Sequence, residues 1–120
     1  MKTILVVDDD EPIRTLIKEE LTDEGYRVLT ASNARDGIKL VENEPLDLVI
    51  LDIRMPGMDG LEALPRMLGM KEHLRVILNT AYSHYQDSFM SWAADAYIVK
   101  SFDLSELMDK VQELIGPAAE

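Results

Sequence analysis

Two spacings of apolar residues share this chain. Short apolar runs rich in β-branched residues alternate with stretches in which apolar positions return every three or four residues. The first run is residues 4–7. Glu11 and Pro12 then open a helix, proline being suited to a first turn. Ile13, Leu16, Ile17 and Leu21 form its apolar face, and Gly25 ends it. Residues 27–31 predict a second, weaker strand. Ser32 or Asn33 can cap the next helix, whose inner face is Ala34, Ile38 and Val41, and Pro45 closes that unit. Residues 46–51 predict a third strand, followed by a loop rich in proline and glycine over 55–60. A third helix is expected over about 61–69, kinked or shortened by Pro65, which has no amide hydrogen to give. Residues 76–78 belong to a fourth strand, residues 84–94 to a fourth helix carrying Phe89, Trp92 and Ala93, and residues 97–99 to a fifth strand. The last helix has the clearest stripe, Leu104, Leu107, Met108, Val111, Leu114 and Ile115, and stops at Gly116 and Pro117.

Strand and helix alternating five times imply α/β architecture with a parallel sheet. Near-continuously apolar strands suit a sheet covered on both faces, and five strands are too few for an eight-fold barrel. The expectation is a five-stranded, doubly wound, flavodoxin-like (βα)5 sandwich with right-handed crossovers and strand order 2-1-3-4-5. No fixed-period repeat and no flexible linker divides the chain, and 120 residues suit one core, so one domain over residues 1–120 is expected.

Composition narrows the function. Apolar residues at 47% and charged residues at 29% are ordinary for a globular chain. The 23 acidic against 12 basic residues leave a net charge of −11, which argues against a nucleic-acid surface or an anionic membrane as partner. There is no cysteine, so disulfides, thiolate metal sites and cysteine nucleophiles are excluded. The apolar run at 4–7 is too short for a signal peptide, and no run approaches the ~20 residues of a membrane span. The expectation is a soluble, cytoplasmic chain.

In open α/β sheets, ligands bind beyond the carboxyl ends of the strands. Asp8, Asp9 and Asp10 follow strand one, Asp52 follows strand three, Asn79 and Thr80 follow strand four, and Lys100 follows strand five. Carboxylates gathered at one crevice repel unless a cation sits between them. Hard oxygen ligands suit Mg²⁺, while a lysine and a hydroxyl suit a phosphoryl group. An aspartate can itself accept that group as an acyl phosphate. The crevice therefore reads as a magnesium-assisted phosphoryl-transfer centre around Asp52.

Val-Val-Asp-Asp-Asp at 6–10, Leu-Asp-Ile-Arg-Met-Pro-Gly-Met-Asp-Gly at 51–60, Thr80-Ala81 and Tyr-Ile-Val-Lys at 97–100 resemble the receiver domain of two-component response regulators, over nearly the whole chain. The resemblance implies that a sensor histidine kinase or a histidine phosphotransfer protein passes a phosphoryl group to Asp52. It implies Mg²⁺ (or Mn²⁺) held by Asp9, Asp52 and the backbone carbonyl of Arg54, with Asp8 acting partly through water. Lys100 would pair with the phosphate, Thr80 would move to bond it, and Tyr97 would change rotamer in concert. The face built on the fourth helix, fifth strand and fifth helix would then change its affinity for a downstream protein or output domain, or for a second copy of the chain. Such a module shifts between two pre-existing states and is an enzyme only toward its own phosphorylation and dephosphorylation. The alternative is a receiver-like scaffold that is never phosphorylated. An aspartyl phosphatase would need a second aspartate where Arg54 stands, and a flavin carrier would need a phosphate loop where three aspartates stand.

Several residues have plainer readings. Asp10 reads as a helix cap or first-turn acid, and Met55-Pro56-Gly57 as loop-shaping. Tyr97 is either packed or a switch. Trp92, the only tryptophan, reads as core or helix packing, with an exposed partner-face aromatic as the alternative. His73 and His84 read as surface residues, His84 the nearer to the crevice rim, and the seven methionines as packing. Four positions depart from the resembled pattern. Ser101 follows Lys100 where proline, often after a cis bond, is usual, so the bond is either trans with a relaxed loop or strained. Arg54 and Tyr82 flank the path of attacking water, which implies slower loss of phosphate. Pro65 inside a helix has no assigned role. The chain ends soon after its last helix, which fits a stand-alone receiver and equally one cut from a longer protein.

Overall fold

The computed structural model describes residues 1–118. Residues 119–120 and the side chain of Phe89, expected on a helix face, lie outside the described residues. Strands β1 (Thr3–Val7), β2 (Arg27–Ala31), β3 (Leu48–Leu51), β4 (Arg75–Thr80) and β5 (Ala96–Val99) form one parallel sheet in the order β2-β1-β3-β4-β5. The expected topology is therefore the observed one.

Period-two alternation divides the core. Ile4, Val6, Ile50 and Ile77 face helices α1 (Glu11–Asp23) and α4 (Ser105–Ile115), packing on Ile17, Leu21, Leu107 and Val111. Leu5, Val7, Val49, Leu51, Val76 and Leu78 face helices α2 (Ala34–Asn43) and α3 (Gly60–Met70), packing on Val41, Ala63, Leu64 and Met67. Every residue of β1 and β3 is buried, as expected of a sheet covered on both sides.

Each of the first three helices starts at the carboxyl rim with an acid or amide cap. Asp10 accepts from the Ile13 amide at 3.4 Å, Asn33 from Asp36 at 2.8 Å and Asp59 from Glu62 at 2.9 Å. Asp10 is thus the cap the sequence suggested, and Asn33 rather than Ser32 caps α2. Gly60 is the first residue of α3 and can only be glycine, since a Cβ there would lie 2.1 Å from the Asp52 carbonyl oxygen.

Four expectations need correction. Residues 84–94 are not an α-helix but two 3₁₀ turns, His84–Asp87 and Phe89–Ala93, leaving four α-helices among the described residues instead of five. Serines are the physical reason. Ser88 is extended (φ −75°, ψ 130°) and its hydroxyl accepts from the Met90 amide, while the Ser91 hydroxyl donates to the Tyr85 carbonyl at 2.6 Å. Such local bonds compete with the helical ladder. Secondly, Asn79 and Thr80 are the last residues of β4, not the loop after it. Thirdly, of the two effects expected of Pro65, a kink or a shortening, the shortening is not met, since α3 runs through to Met70. Finally, Trp92 is 72% exposed, so the packed reading fails.

No peptide bond among the described residues is cis, so the Lys100–Ser101 bond is trans. No described helix is long and apolar enough to cross a membrane.

Candidate functional site

The ends of β1, β3, β4 and β5 meet at one rim because those strands are neighbours in the sheet. Asp52 directly follows the buried run Leu48–Leu51 and is itself only 4% exposed. Its Oδ1 accepts from the Ile53 amide at 2.8 Å and its Oδ2 from Lys100 Nζ at 2.9 Å. Asp8, 2% exposed, pairs through Oδ2 with the same ammonium at 2.9 Å. Its Oδ1 accepts from the Asp10 amide at 2.9 Å, and its carbonyl from Arg14 at 2.7 Å. Lys100 therefore bridges the two buried acids, and its own amide donates to the Thr80 carbonyl at 2.7 Å.

Asp9 stands exposed beside them. Asp8, Asp9 and Asp52 each offer a carboxylate oxygen, all within 4.8 Å of one another. Three carboxylates face one lysine, an excess of two negative charges. That excess and the all-oxygen donor set fit a hard divalent cation such as Mg²⁺.

Burial raises the Asp52 carboxyl from its ordinary value to about 6. The Lys100 hydrogen bond and charge and the Ile53 amide pull it down, while the Asp8 charge pushes it up. For Lys100, burial opposes the charge, yet its hydrogen bonds to Asp8 and Asp52 and their negative charges outweigh it and the ammonium is raised. At neutral pH the centre holds an ionised aspartate against a firmly protonated lysine.

Thr80 is fully buried at the end of β4, and its Oγ1 accepts from the Tyr82 amide at 3.4 Å. Tyr97, half-buried on β5, donates its hydroxyl to the Tyr82 carbonyl. The two residues thus hold the same loop residue, one at the amide and one at the carbonyl of Tyr82. Arg54 is exposed at the mouth of the open pocket that Asp9, Asp10, Asp52, Tyr82 and Lys100 line. Of the seven residues expected at the site, six lie on this rim, while Tyr97 stands within β5 opposite Leu78 and reaches the loop after β4 through its hydroxyl. His84 is exposed with its ring 5.7 Å from that of Tyr82, close to the rim as expected, and His73 is exposed at the far end of the sheet, just before β4.

Tyr85 escaped the sequence reading. Its hydroxyl accepts from Arg54 Nη1 at 3.3 Å and its ring lies 4.1 Å from that of His84. No motif marks it, because its place depends on how the residues after Thr80 turn. Gly60 was legible only as a loop glycine; its contact with the Asp52 carbonyl is tertiary.

The response regulator receiver domain family matches residues 4–112. Sporulation initiation phosphotransferase F of Bacillus subtilis is 40% identical over 115 residues, covering 93% of this chain and 92% of that protein. The alkaline phosphatase synthesis transcriptional regulatory protein PhoP of the same organism is 34% identical over 116 residues, 95% of this chain but 48% of that protein. This chain thus spans about half the length of such transcriptional regulators. Among solved structures, the response regulator TrrA of Thermotoga maritima in complex with Mg²⁺-BeF is similar with a TM-score of 0.92 and 52% identity, covering 95% of this chain and 99% of that one. A structure of the histidine kinase ThkA in complex with TrrA matches at a TM-score of 0.89 and 51% identity, covering 96% and 99%.

Proposed function

Because the chain belongs to the family of response regulator receiver domains, we propose that Asp52 accepts a phosphoryl group from a histidine kinase or a histidine phosphotransfer protein. The observation that carries the reading is Lys100 bridging Asp52 and Asp8 at 2.9 Å each, with Asp9 beside them. The Asp52 carboxylate attacks phosphorus; a P–O bond forms as the P–N bond to the donor imidazole breaks, and the electron pair stays on the imidazole. The nucleophile must be ionised, and with its value near 6 it is so at neutral pH. Asp8, Asp9, Asp52 and the Arg54 backbone carbonyl would hold Mg²⁺ (or Mn²⁺), which offsets charge on the phosphoryl oxygens when bound. Lys100 is already aimed at Asp52 and neutralises the product without searching for it.

The chain is a signalling module. Its catalysis is confined to its own phosphorylation and the hydrolysis of its own acyl phosphate. Thr80 donates its hydroxyl to the phosphoryl group, and Tyr97 follows by leaving the Tyr82 carbonyl. The face formed by residues 84–94, β5 and α4 then changes its affinity for a downstream protein, an output domain or a second copy. Supporting this, Trp92, Met90 and Val99 lie exposed there. The setting is the cytoplasm, and the whole stretch 1–120 acts as one domain with no nucleic-acid or membrane contact of its own.

Intact mass after incubation with acetyl phosphate, with and without Mg²⁺, tests the reading beside Asp52→Asn. One added phosphoryl group that needs both Mg²⁺ and Asp52 is expected. No gain from acetyl phosphate or from a histidine kinase, together with no Mg²⁺-dependent change in Trp92 fluorescence, would leave an unphosphorylated scaffold instead.

A further inference from the structure

Arg54 lies on the same pocket as Asp52, yet its cation is docked on two tyrosines. The guanidinium carbon is 5.3 Å from the centroid of the Tyr82 ring, and Nη1 reaches the Tyr85 hydroxyl at 3.3 Å. The two rings meet edge to face at 6.3 Å. From Tyr85 the contacts continue outward. Its carbonyl accepts from the Ser91 hydroxyl at 2.6 Å, and Ser91, 5% exposed, precedes the exposed Trp92 in the second 3₁₀ turn. The backbone from Asp52 to Arg54, then Tyr85, then Ser91, thus forms one continuous line from the phosphoacceptor to Trp92. It is separate from Thr80 and from the Tyr97 hydroxyl, which fastens the same loop at Tyr82.

The docking is weak by its geometry. A ring contact made in water is among the weaker cation contacts, and 3.3 Å to a neutral hydroxyl is at the long end of hydrogen bonding. Lys100 and the Ile53 amide already occupy the two Asp52 oxygens, so the bare carboxylate has little to offer a second cation. A phosphoryl group on Asp52 changes this balance. It brings additional charged oxygens to the pocket that Arg54 lines, and a guanidinium bonds such oxygens in short, charge-assisted pairs, often two at once. A ligand shifts a two-state element only through differential interaction, and here the difference lies wholly in the new oxygens.

We propose that Arg54 is a positioning residue that moves: it docks on Tyr82 and Tyr85 while Asp52 is bare, is drawn to the phosphoryl oxygens once Asp52 is modified, and so releases the turn that carries Trp92. The proposal rests on the reading of Asp52 as phosphoacceptor. It adds a path to the 84–94 surface through Tyr85 and Ser91.

The test uses the full chain with beryllofluoride and Mg²⁺, the pair present in the Thermotoga relative. Fluorine NMR reports occupancy, and emission of Trp92, the only tryptophan, reports the turn. Wild type, Tyr85→Phe and Arg54→Ala are compared at equal occupancy. Tyr85→Phe loses only the accepting hydroxyl and keeps the ring. The expected result is a Trp92 emission shift in wild type on adding beryllofluoride. In both variants the bare emission is already moved toward the occupied wild type, and the shift on addition falls by at least half. Equal shifts in all three proteins, or no shift in occupied wild type, overturn the proposal. A fluorine signal that never appears, or that survives in Asp52→Asn, instead overturns the phosphoacceptor reading, and this inference falls with it.

Discussion

Lys100 donates through Nζ to Oδ2 of Asp52 at 2.9 Å, although β5 and β3, which lead into them, are separated by β4. The lysine spans the width of a strand to reach the carboxylate, and it bonds both buried acids, Asp8 and Asp52. Lys100→Ala therefore leaves Asp8 and Asp52 facing each other without a counter-charge. Denaturant unfolding without divalent cations should show a loss of about 1–3 kcal/mol. Millimolar Mg²⁺ should restore part of it, while the yield of phosphorylated protein falls sharply.

Stability should depend on pH through Asp52. Its folded value, raised to about 6, lies above its unfolded one near 4. Between the two, the folded chain holds a proton that the unfolded chain has lost. The contribution of Asp52 to metal-free stability then falls as pH rises from about 4 to about 6, by at most ~1.4 kcal/mol per pH unit, and levels off above. Asp52→Asn removes that falling limb and should be the more stable protein above pH 6. Melting curves of both proteins across pH 4–8, with chelator present, check the sign.

Protons and Mg²⁺ compete for the same carboxylate. Mg²⁺ affinity by calorimetry should weaken steadily below about pH 6, the value of Asp52. Asp9→Asn, which removes the exposed member of the cluster, should weaken it by ~10-fold or more at neutral pH, with little change in metal-free stability because Asp9 lies in solvent.

Gly60→Ala should be severe. The new Cβ would lie 2.1 Å from the Asp52 carbonyl oxygen and 2.9 Å from the Ile53 Cα, both rigid backbone. The start of α3 or the Asp52 loop must move, costing about 3 kcal/mol or more. Any folded fraction should accept phosphoryl groups poorly, since the displaced segment carries the nucleophile. Chemical denaturation and phosphorylation yield check the two effects separately.

The acyl phosphate should be long-lived for a structural reason. Arg54 and Tyr82 both line the pocket that holds Asp52, and their bulk stays beside it whether the guanidinium lies on the ring or on phosphoryl oxygens. Excluding water from that pocket slows hydrolysis. Losing a barrier contribution of ~1 kcal/mol would speed decay about five-fold, and that is the change expected for Arg54→Ala and for Tyr82→Ala. Phosphoprotein decay followed by mass gives the lifetimes; equal lifetimes in all three proteins would sink this account.

Much of this architecture could be read from spacing. The bounds of β2 are those expected, and β1, β3 and β5 differ by one or two residues. The alternation of strand and helix leads to the parallel sheet, and the rule that ligands sit beyond strand ends leads to Asp8, Asp52, Thr80 and Lys100. The 84–94 segment misled because periodicity registers side-chain faces only. It does not register Ser88 and Ser91 binding nearby backbone, which divides the segment into two 3₁₀ turns. Trp92 then points to solvent rather than onto a helix seam.

The order of apolar runs and the acids that end them are local facts, so residue order alone was enough to set the strand sequence, the rim and the candidate phosphoacceptor. Distances across the sheet are not local. That Lys100 bridges Asp8 and Asp52, that burial lifts Asp52 to about 6, that Gly60 touches the Asp52 carbonyl and that Arg54 docks on Tyr85 all depend on segments far apart in the chain being brought within a few ångströms. Only packing sets those separations and the loss of water around them, and both enter the energies of charged groups more steeply than residue type does.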